Sequence, residues 1–138
     1  MEQFIEFATN HWVLVSILAG FFGLLAWDSS HKAGPKLGTH EATRLINEQN
    51  AVVLDIREKA EFKAGHLVDS VNIPHSKLNS SLSELEKHKQ TPIIVVCKAG
   101  QTSSAAAKTL KDSGFEQVYR LGGGIMEWTG NNLPLVKK

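Results

Sequence analysis

The sequence predicts an α/β domain with a mainly parallel central sheet flanked by helices, preceded by one N-terminal transmembrane helix. Three observations predict it. Trp12 to Trp27, WVLVSILAGFFGLLAW, carries no ionisable group. Beyond Gly38, short apolar runs alternate with segments of helical periodicity, the pattern of strand, crossover helix and strand. Two of those runs, AVVLDI and IIVV, are β-branched and almost wholly apolar, as strands covered on both faces are.

Composition narrows the functional classes. The 138 residues suffice for one domain, and 15 basic against 14 acidic side chains give a net charge of +1. No basic run or aromatic-interleaved patch departs from that balance, which argues against nucleic acid as a partner. The single cysteine excludes an intramolecular disulfide and any multi-cysteine zinc or iron–sulfur site, so neither metal nor cofactor is expected. A lone thiol suits a reducing compartment.

Charge is unevenly distributed. Every Lys and Arg lies at or beyond Lys32, and the first 31 residues carry only Glu2, Glu6 and Asp28 as charged side chains. Sixteen helical residues span about 24 Å, short of a hydrocarbon core of about 30 Å. Extension back through Phe4, Ile5, Phe7 and Ala8 makes up the difference, giving a continuous span over about residues 8–28 within an anchor of residues 1–30. Trp12 and Trp27 would then lie toward the two headgroup regions. The segment lacks the positive amino end and the small-residue cleavage site of a secretory signal. Apolarity on all faces is also unusual for a core helix in so small a protein. Lys32 and Lys36 follow the span and no cation precedes it. The positive-inside rule therefore places the amino terminus outside and the domain in the cytoplasm, at the inner membrane.

Asp28 to Gly38, DSSHKAGPKLG, is polar with Pro35 and two glycines, and residues 31–38 read as a tether to a domain over 39–138. Thr39 is placed to cap a helix whose apolar face carries Ala42, Leu45 and Ile46. Ala51 to Ile56 reads as a strand, Glu58 to Ala64 as a short helix, and Val71 to Ile73 as a strand stopped by Pro74. Ser83 to Lys89 gives a helical turn or two. Ile93 to Val96 is the most apolar strand, and Thr102 to Ser113 a helix with Gly114 as its terminator. Gln117 to Leu121 is a fourth strand, followed by Gly122-Gly123-Gly124 and a short helix around Met126 to Trp128.

Ligands of open parallel sheets sit beyond the carboxyl ends of the strands, and Cys97 falls at such an end. The loop Cys97-Lys98-Ala99-Gly100-Gln101-Thr102 leads into a helix beginning near Ser103. Inward-pointing amides, the positive end of that helix and the Lys98 charge would each lower the thiol's pKa. A lone cysteine at a strand end also reads as a buried structural residue, and position alone leaves both readings open.

The surrounding residues extend the pattern. Glu41-Ala42 and Leu45-Ile46 are followed by Leu54-Asp55-Ile56-Arg57-Glu58, Glu61-Phe62 and Gly65-His66-Leu67. Then come Ser70 to Pro74, the Cys97 to Thr102 loop, Gly114-Phe115, Val118, Leu121 to Gly124 and Trp128. In this order, from about Thr39 to Leu135, the chain resembles the rhodanese-like family. With its anchor it is similar to the bacterial membrane-anchored single-domain rhodaneses.

That resemblance implies a sulfurtransferase. Cys97 would take sulfane sulfur from thiosulfate or a protein persulfide, become a persulfide, and pass the outer sulfur to a thiol or cyanide. Cys97 is then catalytic, and Lys98, Ala99, Gly100, Gln101, Thr102 and Ser103 form the anion-binding loop. Related phosphatases use a loop one residue longer closed by Arg, whereas Thr102 is followed by Ser103, which makes phosphatase or arsenate-reductase activity the weakest reading. Many single-domain members close with Arg, and two-domain members with Thr, so Thr102 stays within the family.

Asp55 and Arg57 are read as an ion pair bracing the loops, with Asp55 placed to tune the cysteine loop from beneath. His66 is read as a hydrogen-bonded structural histidine, and Gly122 and Gly123 as allowing close approach to the cysteine loop. The three glycines lack the Lys-Ser/Thr of a P-loop. His40, His75 and His88 show no metal-ligand spacing and are expected to face solvent; Trp128 is expected in the core. The alternative function is a membrane-anchored interaction module with little or no catalysis. Gly20 and Gly23 permit helix–helix contact with other membrane proteins, although their spacing is not the G-x-x-x-G one.

Overall fold

A computed structural model describes residues 1–32 and 34–137, with the side chains of all of these except 28–32. The chain divides into two compact units, Met1–His31 and Lys32–Lys138.

The first unit is two helices, α1 (Glu2–Asn10) and α2 (Trp12–Lys32), bent by 87° where the continuous span was expected. The break is at His11, whose φ of −120° and ψ of 35° are not helical. Polar side chains crowd that end of α1: Thr9 Oγ1 donates to the carbonyls of Ile5 and Glu6, and His11 Nδ1 lies 3.2 Å from the Phe7 carbonyl. Such local bonds compete with helix continuation. Among the described residues no single helix is long and apolar enough to cross a membrane; Glu2–Asn10 with Trp12–Trp27 passes that test only as a bent pair, by length and composition. The apolar side chains of α2 from Trp12 to Trp27 are exposed.

The second unit is a five-stranded sheet, all parallel, in the order β1-β5-β4-β2-β3. Its strands are β1 (Lys36–Leu37), β2 (Val52–Asp55), β3 (Val71–Asn72), β4 (Ile93–Val96) and β5 (Val118–Leu121). The helices are α3 (Thr39–Gln49), α4 (Lys59–Ala64), α5 (Ser103–Asp112) and α6 (Gly124–Gly130), with 3₁₀ segments over His75–Ser80 and Leu82–His88. Side-chain alternation along β4 feeds two cores. Ile93, Val95 and Cys97 join one with Ala106, Ala107 and Leu110 of α5. Ile94 and Val96 join the other with Ala42, Ile125 and Trp128. A strand buried on both faces between β2 and β5 has no position for a polar side chain, and none is present.

Two expectations are corrected. Residues 31–38 were expected to be a tether, but Lys36 and Leu37 pair with Arg120 and Leu121 as an edge strand. The pairing is held by the Arg120 N–H on the Pro35 carbonyl at 3.0 Å and the Gly122 N–H on the Leu37 carbonyl at 2.8 Å. Ala33, in the same expected tether, and Lys138, at the end of the expected domain, lie outside the described residues. Helix α3 is capped by Gly38 rather than by Thr39, whose carbonyl instead accepts from Thr43 Oγ1 inside the first turn. The end of α5 is as expected, with Gly114 at φ +96° just beyond Ser113.

Candidate active site

Cys97 follows the last residue of β4, so its backbone position is set by the most buried strand of the sheet. Its side chain is 3% exposed, and its sulfur is free. The loop then turns back over the sulfur. Gly100, at φ +90°, brings its N–H to 2.8 Å from Cys97 Sγ. Burial pushes the thiol up, but hydrogen bonds from the Thr102 hydroxyl and the Ser103, Thr102 and Gly100 amides outweigh it, and the pKa falls below its ordinary 9.0. These donors converge on one atom, an arrangement that holds an anion. Ser103, 1% exposed, fastens the far end of the loop by donating from Oγ to the Gly100 carbonyl at 2.8 Å.

The cradle is built from neutral donors. Lys98, expected to lower the thiol by its charge, is exposed and is not among the groups acting on Cys97. Ala99 and Gln101 are likewise exposed. The helix contribution is realised as amides of Thr102 and Ser103, the cap and first residue of α5.

The glycine turn after β5 closes on the loop from the other side. Gly124 is the tightest point: a Cβ there would lie 2.3 Å from the Cys97 carbonyl oxygen, at a φ of +59°. The Ile125 N–H donates to the Cys97 carbonyl at 2.9 Å and the Met126 N–H to that of Lys98 at 3.0 Å. Gly123 meets the loop at Gly100, whose Cβ would stand 3.3 Å from the Gly123 nitrogen. Gly122, expected to do the same, packs instead against the Leu37 carbonyl of β1.

The end of β2 is bound by charge. Asp55 is fully buried, and Arg57 grips its carboxylate with Nε at 3.0 and 3.1 Å and Nη2 at 2.8 Å. Arg57 Nη2 also donates to the Gly65 carbonyl at 2.7 Å, and Asn72 Nδ2 to the carbonyls of Asp55 and Arg57, each at 3.0 Å. This is the bracing ion pair expected from the sequence. Tuning of the thiol by Asp55 is not seen: its carboxylate is not among the groups acting on Cys97. His66 is structural, with Nδ1 2.7 Å from the Phe62 carbonyl, which requires the proton on Nδ1. Its ring stacks on Phe62 at 3.7 Å, and its backbone pairs with Val136. His40 and His75 face solvent, as expected, and His88 is half-buried. Trp128 lies in the core with Nε1 donating to the Pro134 carbonyl at 3.1 Å. Among the described residues no cluster of three or more His, Cys, Asp or Glu could hold a metal ion.

Sequence reasoning missed a cavity of about 440 Å³ at the β3 side of the sheet end, lined by Phe62, Ile73, Pro74 and the lysines Lys59, Lys63 and Lys77. The signal was present in α4, where Lys59 and Lys63 stand one helical turn apart.

The rhodanese-like domain model matches residues 39–131, well over half of the chain. The uncharacterized protein YibN of Escherichia coli (strain K12) is 38% identical, over 99% of this chain and 99% of its own. The thiosulfate sulfurtransferase GlpE of Pseudoalteromonas translucida is 35% identical over 64% of this chain and 82% of its own. Among solved structures, a rhodanese-related protein from Thermoplasma volcanium superposes with a TM-score of 0.68 at 29% identity, covering 75% of this chain and 99% of its own.

Proposed function

The chain belongs to the rhodanese-like family, and from that premise we propose that it is a sulfurtransferase working through a persulfide on Cys97. The observation that carries this reading is the Gly100 N–H held 2.8 Å from a single buried sulfur, whose pKa the Thr102 and Ser103 donors help to lower. Similarity to the thiosulfate sulfurtransferase GlpE supports thiosulfate as one donor. The Cys97 thiolate attacks the outer sulfur of thiosulfate, the sulfur–sulfur bond breaks, and sulfite leaves with its electron pair. The persulfide anion then occupies the same ring of donors, which need not reorganise because they are fixed by the fold. An acceptor thiolate or cyanide attacks the outer sulfur and returns Cys97 as thiolate.

Membrane tethering is part of the proposal. It is supported by the exposed, uncharged apolar surface of α2 from Trp12 to Trp27 and by the Lys32 and Lys36 cations that follow. The bent pair α1–α2 is the segment that would enter the bilayer, with the domain on the cytoplasmic side by the positive-inside rule.

The test uses the full chain in detergent, incubated with thiosulfate and read by intact mass. One added sulfur on Cys97, removed by cyanide as thiocyanate and absent in Cys97→Ser, is the expected result. Failure to load from thiosulfate or from a protein persulfide, with the thiol titrating normally, would favour the interaction module. Partition with membranes after alkaline carbonate washing tests the tether; release into the wash would remove it.

A further inference from the structure

A second cavity, of about 300 Å³, lies on the β1–β5 side of the cysteine loop, away from the lysine-lined one. Its polar wall is made by Lys36 of β1, Arg120 of β5, Gln101, Ser103 and Ser104, and the backbone at the glycines Gly100, Gly122 and Gly123. None of its lining residues is acidic, and neither cation is in an ion pair among the described residues. Arg120 is half-buried and held in place: Nε and Nη2 donate to the Gly34 carbonyl at 3.1 and 3.0 Å, and Nη1 donates to Ser104 Oγ. Ser104 spends its acceptor on that bond and keeps its hydroxyl proton to donate. Lys36 is exposed, and its ammonium has no ion-pair partner among the described residues. Glu127, whose Oε2 stands beside Gly123, is outside the lining.

We propose that this cavity is an oxyanion site, separate from the Cys97 cradle, that takes a phosphate or sulfate group between Lys36 and Arg120. A fixed guanidinium, an exposed ammonium and a spare hydroxyl proton form the donor set that a tetrahedral oxyanion uses. The site shares two residues with the sulfur cradle, Gly100 and Ser103. Gly100 lines the cavity while its N–H points to Cys97 Sγ, so an occupied cavity is expected to shift the Gly100 amide. The group is the same whether it arrives as a free ion or as a lipid phosphate.

The experiment is an amide-shift titration of the ¹⁵N-labelled full chain in uncharged detergent with inorganic phosphate at constant ionic strength. Saturable shifts at Gly100, Ser104, Gly122 and Gly123 are expected, with a dissociation constant on the order of millimolar. Lys36→Gln is expected to weaken binding about fivefold to tenfold, the loss of roughly one charge-assisted contact. Glu127→Gln should tighten it by a smaller factor, since a nearby negative charge is removed. Saturation only in nanodiscs containing phosphatidylglycerol, and not in phosphatidylcholine or detergent, would assign the group to a lipid headgroup. No saturation in any of these, or a titration unchanged by Lys36→Gln, would overturn the proposal. Because the readout is binding, it is independent of sulfur loading at Cys97.

Discussion

Two neighbouring strand ends in this sheet solve opposite problems. Asp55 ends β2 and Cys97 follows β4, and Asp55 pairs in register with Val96, one residue before the cysteine. Both side chains are buried and both sites hold a negative charge in the reading advanced here. At β2 the charge is met by a full countercharge, the Arg57 fork, and the Arg57 N–H also donates to Asp55 Oδ1. At β4 it is met by amides and one hydroxyl. The first arrangement locks the chain and can do nothing else. The second stabilises a thiolate through amides and a hydroxyl and leaves it open to attack a donor.

The sharpest way to break this comparison is Cys97→Ser, expected to abolish sulfur loading completely while leaving thermal stability nearly unchanged, as read by intact mass and by a melting curve. Asp55→Ala should do the reverse. It leaves Arg57 buried without its partner, at a cost of about 3–5 kcal/mol in denaturant unfolding, with the thiol of surviving folded protein titrating as before. Gly124→Ala couples the two kinds of effect, because its methyl group would collide with the Cys97 carbonyl at a left-handed φ. A loss of about 2–3 kcal/mol is expected, together with slower loading as the loop is displaced.

Thr102→Val removes the hydroxyl donor alone. The thiol pKa should rise, so the alkylation rate measured against pH climbs at higher pH than in the parent. Stability carries the same signature. The folded thiol ionises below its ordinary value, so the folded state binds fewer protons than the unfolded one between the two pKa values. The stabilisation is complete above the unfolded thiol range and is lost as pH falls through the folded value. Cys97→Ser should flatten that part of the stability profile. The smallest effect is expected from Arg44→Ala, which removes an exposed helix pair with Glu48 worth about 0.3–0.5 kcal/mol.

How legible each region was follows from the range of the interactions that build it. Ile93 to Val96 could be read because a strand buried on both faces admits only apolar side chains, and Gly114 because a helix end needs a residue tolerant of positive φ. The ion pair Asp55–Arg57 was visible because its partners are two residues apart on one strand end. Edge strand β1 was not, since two residues cannot show alternation and its partners, Arg120 and Leu121, are over eighty residues away. The cysteine cradle was half legible. Its loop and glycine turn are local in sequence, yet which donors reach the sulfur depends on backbone direction: Lys98 and Thr102 are both exposed, and only Thr102 acts on the thiol. The bend between α1 and α2 was hidden for a third reason: side-chain bonds to backbone gather at His11, and an apolarity argument does not weigh them.

The same shortness that hid β1 has a consequence for how the molecule behaves in a crowd. Both margins of the sheet, β1 and β3, are two residues long, and the β1 margin carries a lysine. An incoming strand from another copy finds too few unpaired backbone groups to hold it, and must strip water from an ammonium to try. The sheet is thus closed to polymerisation from either side, and copies packed densely on a surface are expected to stay separate, without fibrillar growth.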